Sequence, residues 1–204
     1  MDAIGKQLAM AVAATAFRDV GPTCRMSEIA SRLELPRRAV YKYFEDLLAA
    51  KYAAVTWYIE AMDRLVTDPA DEASSARARL RIFFQLILDL ELCDILADTD
   101  LKDWYHDVRT STFHALMEKG RNQGSIKHSY TDDSVAYEFC TYVWEGYASK
   151  IKSENIIDGE CKELGSNEYI RFTRSNSTID HYLDLLEPAL GISSMKDRKF
   201  STSI

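Results

Sequence analysis

Glycine and proline are scarce in this sequence, which has eight glycines and four prolines among its 204 residues. β-Branched residues that alternate with polar ones are scarce as well. Because sheet proteins need turn residues between their strands and alternating patterns within them, the two absences argue against a β-sheet. We therefore predict an all-α protein, and a hydrophobic fraction of 47% is enough for a substantial core.

Long apolar runs are also absent. Residues 1–20 lack the basic region followed by a long apolar stretch that marks a signal peptide or an anchor. No other stretch approaches the roughly 20 apolar residues that a membrane-spanning helix needs. We therefore expect a cytoplasmic protein that does not enter a membrane.

No two cysteines stand in a CxxC pair. Because the four cysteines are scattered along the chain, neither a disulfide framework nor a zinc site is indicated. The simpler expectation is free thiols that are buried or half-buried. They are Cys24, Cys93, Cys140 and Cys161.

Histidines and carboxylates form no recognisable metal or catalytic pattern. His106 and His114 share a helix face close to two aspartates, but no third or fourth ligand has a suitable spacing. The sequence also shows no Ser-His-Asp order, no paired carboxylates and no glycine-rich phosphate loop. We expect no metal, no cofactor and no enzymatic activity, and an enzyme built on a helical bundle remains as an alternative.

The net charge of −7 is distributed unevenly along the chain. Residues 1–50 hold seven basic and six acidic side chains, so the rest of the chain carries a net charge of −8. The basic excess is concentrated in residues 23–44, which contain five basic side chains and two glutamates. A local positive patch on an acidic chain suits a protein that touches DNA only through that patch.

Residues 23–44 are predicted to form two short helices joined by a tight turn. The first runs from about Met26 to Leu33 and carries one apolar stripe. The second begins at Pro36, because proline is favoured at the first helical position, and it turns Val40 and Phe44 inward. A helix over the first twenty residues covers both of them and completes a three-helix bundle.

The candidate DNA-binding residues lie on the free face of the second helix and at the start of the first. Arginines near a helix start reach guanine or a phosphate, a lysine adds a point charge, and tyrosine hydroxyls donate to phosphate oxygens. Arg38 is alternatively a solvated charge, and Arg25 and Ser27 alternatively serve as helix caps. The full set is Arg25, Ser27, Arg37, Arg38, Tyr41, Lys42 and Tyr43.

Three groups of residues resemble the N-terminal helix-turn-helix of the TetR family of bacterial transcriptional regulators. They are Phe17 and Gly21, then Met26-x-x-Ile29-Ala30, then Val40-Tyr41-Lys42-Tyr43-Phe44. The resemblance is close over roughly the first fifty residues and holds only in outline beyond them. Members of the family usually have glycine where this chain has Glu34, and a left-handed conformation costs a non-glycine residue about 1 kcal/mol. They usually have lysine where this chain has Leu47, so one expected phosphate contact is absent.

The resemblance implies both an organisation and a function. It implies a DNA-binding head at residues 1–46 and a helical ligand-binding and dimerisation domain at residues 47–191, and the polar residues 192–204 are expected to form a flexible tail. It also implies a homodimer that binds a palindromic DNA operator, most often as a repressor, and that a small-molecule effector releases. The alternative is a helical small-molecule sensor or partner-binding protein whose head has weak or no affinity for DNA.

Long helices are predicted for the body. They cover about residues 46–66, 74–90, 100–123, 133–152 and 167–186, with a short helix at 93–97, a helix stop at Gly124 and a loop at 153–166. The last two long helices are the expected dimer surface. Aromatic side chains in the body are candidates for an effector pocket: core packing is the better explanation for each of them taken singly, whereas the group taken together favours a cavity. They are Trp104, Tyr105, Phe113, Tyr137, Phe139, Trp144 and Tyr147.

Overall fold

The computed structural model describes residues 3–67, 75–127, 133–158 and 167–192, of which residues 3–4, 147–148, 150–158 and 167–178 are described by their backbone alone. Regular structure in these ranges is helical, apart from one antiparallel bridge between Ile126 and Ile192. The predicted all-α class is therefore confirmed. The helices are α1 (Ala3–Val20), α2 (Met26–Arg32), α3 (Arg37–Val40), α4 (Leu47–Thr67), α5 (Ala76–Cys93), α6 (Lys102–Asn122), α7 (Asp133–Asp158) and α8 (Asn167–Leu190).

The predicted short helix at residues 93–97 is wrong. Cys93 instead belongs to α5, and a single 3-10 turn follows at Leu96–Asp98. Asp94 separates the two elements because it takes a φ of 51°, which a right-handed helix cannot continue through. A one-residue break in the left-handed region has no strong signal in the sequence when the residue is not glycine.

The two C-terminal helices are both longer than predicted. α7 continues to Asp158, so the predicted loop at 153–166 begins too early, and residues 159–166 lie outside the described ranges. The misassigned stretch is polar but contains no glycine or proline, so nothing in it stops a helix. α8 continues through Pro188 to Leu190. The proline removes one backbone donor, but Leu190 is buried beyond it, and that burial offsets the loss.

The chain divides into two compact units. Unit 1 comprises Met1–Arg64 and Leu86–Arg109, and unit 2 comprises Leu65–Gln85 and Thr110–Ile204. α5 and α6 therefore supply residues to both units. The DNA-binding head predicted at residues 1–46 lies within unit 1, and its boundary with a separate body at residue 47 stays a prediction. Ile192, which was assigned to the tail, is buried and pairs with Ile126, whereas residues 193–204 lie outside the described ranges.

The core of unit 1 is built on small and aromatic residues of α1. Ala13, Ala14 and Phe17 are fully buried. α1 packs against α2, and α2 packs against α3, as expected for a three-helix head. The hydroxyl of Tyr58 on α4 donates a hydrogen bond of 3.3 Å to the carbonyl of Ala14, and this bond joins α4 to the same core.

The core of unit 2 is an aromatic cluster from α5, α7 and α8. Phe84 stacks on Trp144 with 5.5 Å between ring centroids and meets Tyr182 edge to face at 4.9 Å. The Tyr182 hydroxyl donates to the carbonyl of Cys140 at 2.6 Å, so its polar end is satisfied within the core. α7 packs directly against α8.

Ion pairs join the outer edges of α5 and α8 within unit 2. Arg77 pairs with Glu187 and, at 2.8 Å, with Asp184. Arg81 pairs with Asp180 at 2.8 Å, one turn further along both helices. The pairs are partly exposed, so each contributes modestly to stability, and together they fix the register of the two helices.

Three of the four cysteines lie in described ranges, and the expectation of free, buried thiols is confirmed for them. Burial raises the pKa of Cys24 to about 11 and the pKa of both Cys93 and Cys140 to about 12, so these side chains stay protonated. Cys161 lies outside the described residues. Separately, none of the helices traced in the described ranges is both long enough and apolar enough to cross a bilayer.

Candidate nucleic-acid interface

The start of α2 is held by a reciprocal arrangement between Arg25 and Glu28. Arg25 is the N-cap, and its backbone N–H donates to Glu28 Oε2 at 2.9 Å. The Ser27 hydroxyl donates to the same oxygen at 3.0 Å. The pKa of Glu28 is lowered, first by its own backbone N–H and then by these bonds. Ser27 therefore serves the helix start, while the Arg25 side chain is exposed.

The turn between α2 and α3 closes around Glu34. The N–H of Leu35 donates to the carbonyl of Ala30 at 3.0 Å. The N–H of Glu34 donates to the carbonyl of Ser31 at 3.1 Å, which completes a Schellman ending. Glu34 takes a φ of 54°, so the expectation that this position needs a left-handed residue is confirmed. The turn fixes the direction in which α3 leaves α2.

α3 is shorter than predicted and begins one residue later. It covers only Arg37–Val40, and Pro36 is its N-cap with an extended ψ of 138°. The carbonyl of Pro36 accepts a hydrogen bond of 2.7 Å from the N–H of Ala39. The proline therefore flanks the helix as its N-cap and is not its first residue. After Val40 the backbone continues through turns whose hydrogen bonds join residues three or four apart, and these bring Phe44 back into the core.

The outer face of α3 and the following turn is basic and exposed. Arg37, Arg38 and Lys42 are exposed, and Tyr41 is 44% exposed. Among the described residues, none of the three basic side chains lies within 4.0 Å of a carboxylate. On the opposite face, Val40 is completely buried. The buried Val40 thus anchors the short helix, and its outer face carries three cations, Arg37, Arg38 and Lys42, that are not paired with a carboxylate in the described part of the chain.

Two other residues in this region are held by α1: the candidate Tyr43, and Arg32, which is not a candidate. A Cβ atom on Gly5 would lie 3.7 Å from Tyr43 Oη, so the tyrosine ring packs over α1 and is only half exposed. Arg32 Nη1 lies 2.7 Å from Asp19 Oδ2, and Arg18 Nε lies 2.8 Å from the other oxygen of the same carboxylate. Arg32 therefore ties α2 to α1. The sequence does not reveal this pairing, because Asp19 and Arg32 are thirteen residues apart.

The start of α4 is acidic where the TetR resemblance implies a lysine. Asp46 Oδ1 accepts the N–H of Ala49 at 2.7 Å and caps the helix. Glu45 is exposed beside it, Leu47 is half-buried and Leu48 is 47% exposed. These residues offer no cation to a phosphate.

The seven aromatic candidates for an effector pocket do not form one group. Trp104 and Phe139 are 42% and 46% exposed, so neither is enclosed in a core. Tyr105 is buried in unit 1, where Arg109 lies 6.0 Å from its ring centroid. The remaining described members, Phe113, Tyr137 and Trp144, belong to unit 2, and the side chain of Tyr147 lies outside the described residues.

Two of the unit 2 aromatics surround a histidine. The Tyr137 ring lies 5.4 Å from Phe113 and 6.0 Å from His114, measured between centroids. His114 Nε2 and Thr141 Oγ1 are buried, and neither atom has a hydrogen-bond partner within the ranges that the structure describes. These facing parts of α6 and α7 are therefore a place in unit 2 where a polar ligand group would find unused hydrogen-bonding capacity.

Comparison with known proteins gives one distant similarity. No family model matches the chain, and no curated protein matches it. It is similar to a crystal structure from Rhodococcus sp. of a protein described as a proposed TetR-family transcriptional regulator, with 17% identity over 91% of this chain and 99% of that one and a TM-score of 0.46. The family named there is the one that the head resembles in sequence. At this distance the likeness carries no conclusion about function, which has to come from the residues of the chain.

Proposed function

We propose that the chain is a DNA-binding transcriptional regulator that contacts duplex DNA through α3 and the turn after it. The observation that carries the proposal is the exposed cationic face of Arg37, Arg38 and Lys42, which a buried Val40 supports from behind. Clustered cations on a fixed backbone repel one another, and phosphates neutralise them while releasing counterions from DNA. A purely structural helix has no use for such a face. A regulator of this kind acts in the cytoplasm, where the DNA is.

The residues have different roles in this proposal. Arg37 and Arg38 lie in the first turn of α3, the part of a recognition helix that meets base edges. Tyr41 and Lys42 follow in the turn after α3, and we assign them contacts with phosphates. Arg25, at the start of α2, is a further phosphate contact. Ser27 and Tyr43 contribute less, because one serves the cap of α2 and the other packs on α1.

A homodimer is part of the proposal, because a four-residue helix spans too few base pairs to give strong specificity alone. α7 carries an exposed stripe at helical spacing, formed by Val135, Phe139, Tyr142 and Gly146. Its apolar members are 54%, 46% and 79% exposed, and the place of a Cβ on Gly146 has no atom within 4 Å. Such a stripe is a surface that a second copy would cover, so that two heads read the two halves of a palindromic operator.

Release by a small-molecule effector completes the proposed mechanism. Its support is the unused hydrogen-bonding capacity of His114 and Thr141 beside the Tyr137 ring. A ligand that satisfies these atoms in one conformation of the body and not in another would shift the population of DNA-competent dimers. Repression is proposed over activation because the family that the head resembles more often represses.

The acidic start of α4 favours a second candidate function. Glu45 and Asp46 lie next to the head and would repel phosphates, and Leu47 supplies no cation. If this repulsion outweighs the face of α3, the chain is a helical sensor or partner-binding protein without DNA affinity.

Binding to DNA selected without any assumption about the operator tests the proposal. Purified protein selects duplexes from a random-sequence library, and the best duplex is then titrated by fluorescence anisotropy at two salt concentrations with random DNA as competitor. We expect binding that survives the competitor and weakens steeply with salt. Equal displacement by random DNA, or no binding at all, would rule out a sequence-specific regulator and leave the sensor alternative.

A further inference from the structure

The first turn of α3 presents two consecutive arginines. Arg37 and Arg38 are both exposed, and among the residues that the structure describes no carboxylate lies within 4.0 Å of either guanidinium group. The nearby Arg32 is different, because its Nη1 lies 2.7 Å from Asp19 Oδ2 and ties α2 to α1. The two guanidinium groups of α3 are therefore available to a partner, whereas that of Arg32 serves the fold.

The buried side of α3 determines the directions in which these arginines point. Val40 is completely buried and anchors the helix to the core of the head. Successive residues of an α-helix are about 100° apart around its axis, so Arg38 lies about 160° from Val40 and Arg37 about 60° from it. Arg38 therefore points directly away from the core, and Arg37 points to one flank of the same face.

The side chains of this surface include no bidentate reader of adenine. Asparagine and glutamine bind adenine N6 and N7 together, and neither residue occurs between positions 26 and 44. Pro36, immediately before α3, offers neither a side-chain hydroxyl nor a backbone N–H. Arginine, by contrast, donates two parallel N–H groups to the O6 and N7 acceptors of guanine. The chemistry of the face therefore favours guanine over the other bases.

The spacing of the two arginines is close to the spacing of stacked base pairs. The Cα atoms of consecutive residues are about 3.8 Å apart, and base pairs follow one another at about 3.4 Å along the duplex. One guanidinium group occupies both O6 and N7 of a guanine, so two arginines that read bases need two guanines. Arg37 and Arg38 therefore suit guanines in neighbouring base pairs.

We propose that the DNA sequence contacted by each head contains guanines in neighbouring base pairs, and that Arg38 specifies one of these guanines and Arg37 the other. Arg38 is then a specificity-determining residue and not merely a solvated charge. Tyr41 and Lys42 contribute affinity through phosphates and carry no preference for a base. This base preference rests on the proposed DNA-binding function, and it names the class of sequence that the same surface takes.

Replacement of single guanines in the bound duplex tests this preference with the full chain. The probe is the best duplex from the random-sequence selection, and each of its guanines is replaced in turn by 7-deazaguanine, which keeps base pairing but lacks the N7 acceptor. We expect one replacement to raise the Kd of the wild type by about tenfold and to leave the Kd of Arg38→Ala unchanged, because that variant has no guanidinium to lose the contact. Replacement of a neighbouring guanine should have the same effect on the wild type and none on Arg37→Ala.

Two further variants separate base recognition from charge. Arg38→Lys keeps the charge but loses the planar guanidinium, so its binding should keep its salt dependence and show a smaller penalty for 7-deazaguanine than the wild type. Lys42→Ala is the matched control, because it removes a cation from the same face. It should raise the Kd for the original and the substituted duplex by the same factor.

The possible failures of the base preference and of the proposed function are distinguishable. A specifically bound duplex without neighbouring guanines would overturn the preference and leave the DNA-binding function standing. A penalty for 7-deazaguanine that is equally large in the wild type and in Arg38→Ala at every guanine would overturn the role of Arg38 in the same way. If no duplex binds more tightly than random DNA, the proposed function is wrong, and the base preference is wrong with it.

Discussion

Glu34 and Gly124 occupy the same position in two helix endings of the same type. In each ending the N–H of the following residue reaches back five residues, from Leu35 to Ala30 at 3.0 Å and from Ser125 to Gly120 at 2.9 Å. Glu34 has a φ of 54° and Gly124 a φ of 67°. One ending therefore has the residue that the left-handed region favours, and the head has a glutamate in its place.

Glu34→Gly is expected to stabilise the chain. Relief of the left-handed strain is worth about 1 to 2 kcal/mol, and the larger freedom of glycine in the unfolded chain takes back about half of it. Thermal unfolding should show that the free energy of unfolding of the variant is larger than that of the wild type by about 0.5 to 1 kcal/mol. Glu34→Ala is the control, since it removes the charge but keeps the strain, and an equal gain in both variants would assign the effect to charge.

Gly120→Ala is expected to destabilise unit 2. A Cβ at this position would lie 2.5 Å from Ile126 Cδ1 and 3.3 Å from the Cβ of Ala76, and Ile126 is buried, so it has no free space to move into. Overpacking of this kind costs about 1 to 3 kcal/mol, against a gain of about 1 kcal/mol in helix propensity. Ile126→Val removes the closest atom, so the double variant should lose less stability than the two single losses predict. If urea unfolding shows that the stability losses of Gly120→Ala and Ile126→Val simply add in the double variant, the predicted clash between the two residues is wrong.

Asp133→Asn is expected to destabilise the chain in a pH-dependent way. Arg121 donates two hydrogen bonds of 2.6 Å to Asp133, and these bonds, first among the causes, lower the pKa of the carboxyl below its ordinary 3.8. A lowered pKa gives stability that is complete above the unfolded value and is lost as the pH falls through the folded value. The variant should lose about 1 kcal/mol at pH 7, and the difference from the wild type should shrink as the pH falls through the lowered pKa of Asp133. A difference that persists at lower pH would exclude the ion pair as its source.

Tyr142→Glu is expected to dissociate the proposed homodimer. Tyr142 is the most exposed member of the α7 stripe, and a carboxylate there would be buried without a partner at a two-fold interface. Sedimentation velocity should show the mass of two chains for the wild type and of one chain for the variant. Ile82→Glu is the matched control, because Ile82 is also exposed but lies on α5. A wild type that sediments as one chain would exclude the dimer.

The parts of the fold that local sequence determines are predicted correctly. The helix stop at Gly124 and the inward Val40 and Phe44 depend on residues within a few positions of each other, and each agrees with the structure. Glu34 is a special case, because its left-handed conformation follows from the family resemblance and not from the residue type.

The parts that depend on distant residues are not predictable in this way. The packing of Tyr43 over Gly5, the Arg32–Asp19 pair and the Lys51–Asp98 pair each join residues that are far apart in sequence. The length of α8 is also predicted wrongly, because burial against distant residues stabilises the helix beyond Pro188. In the candidate site, residue type identifies the cations of α3, but only the structure separates them from Arg32, which serves the fold.

The affinity of Arg37→Ala for the selected duplex tests the central claim most directly. The matched control is Arg64→Ala, which removes the same charge from an exposed position on α4 where the arginine pairs only loosely with Glu60 at 3.7 Å. We predict that Arg37→Ala raises the Kd for the duplex by about tenfold or more and that Arg64→Ala changes the Kd by less than about twofold. Equal effects of the two substitutions would show that α3 is not the surface that reads DNA, and would contradict the account.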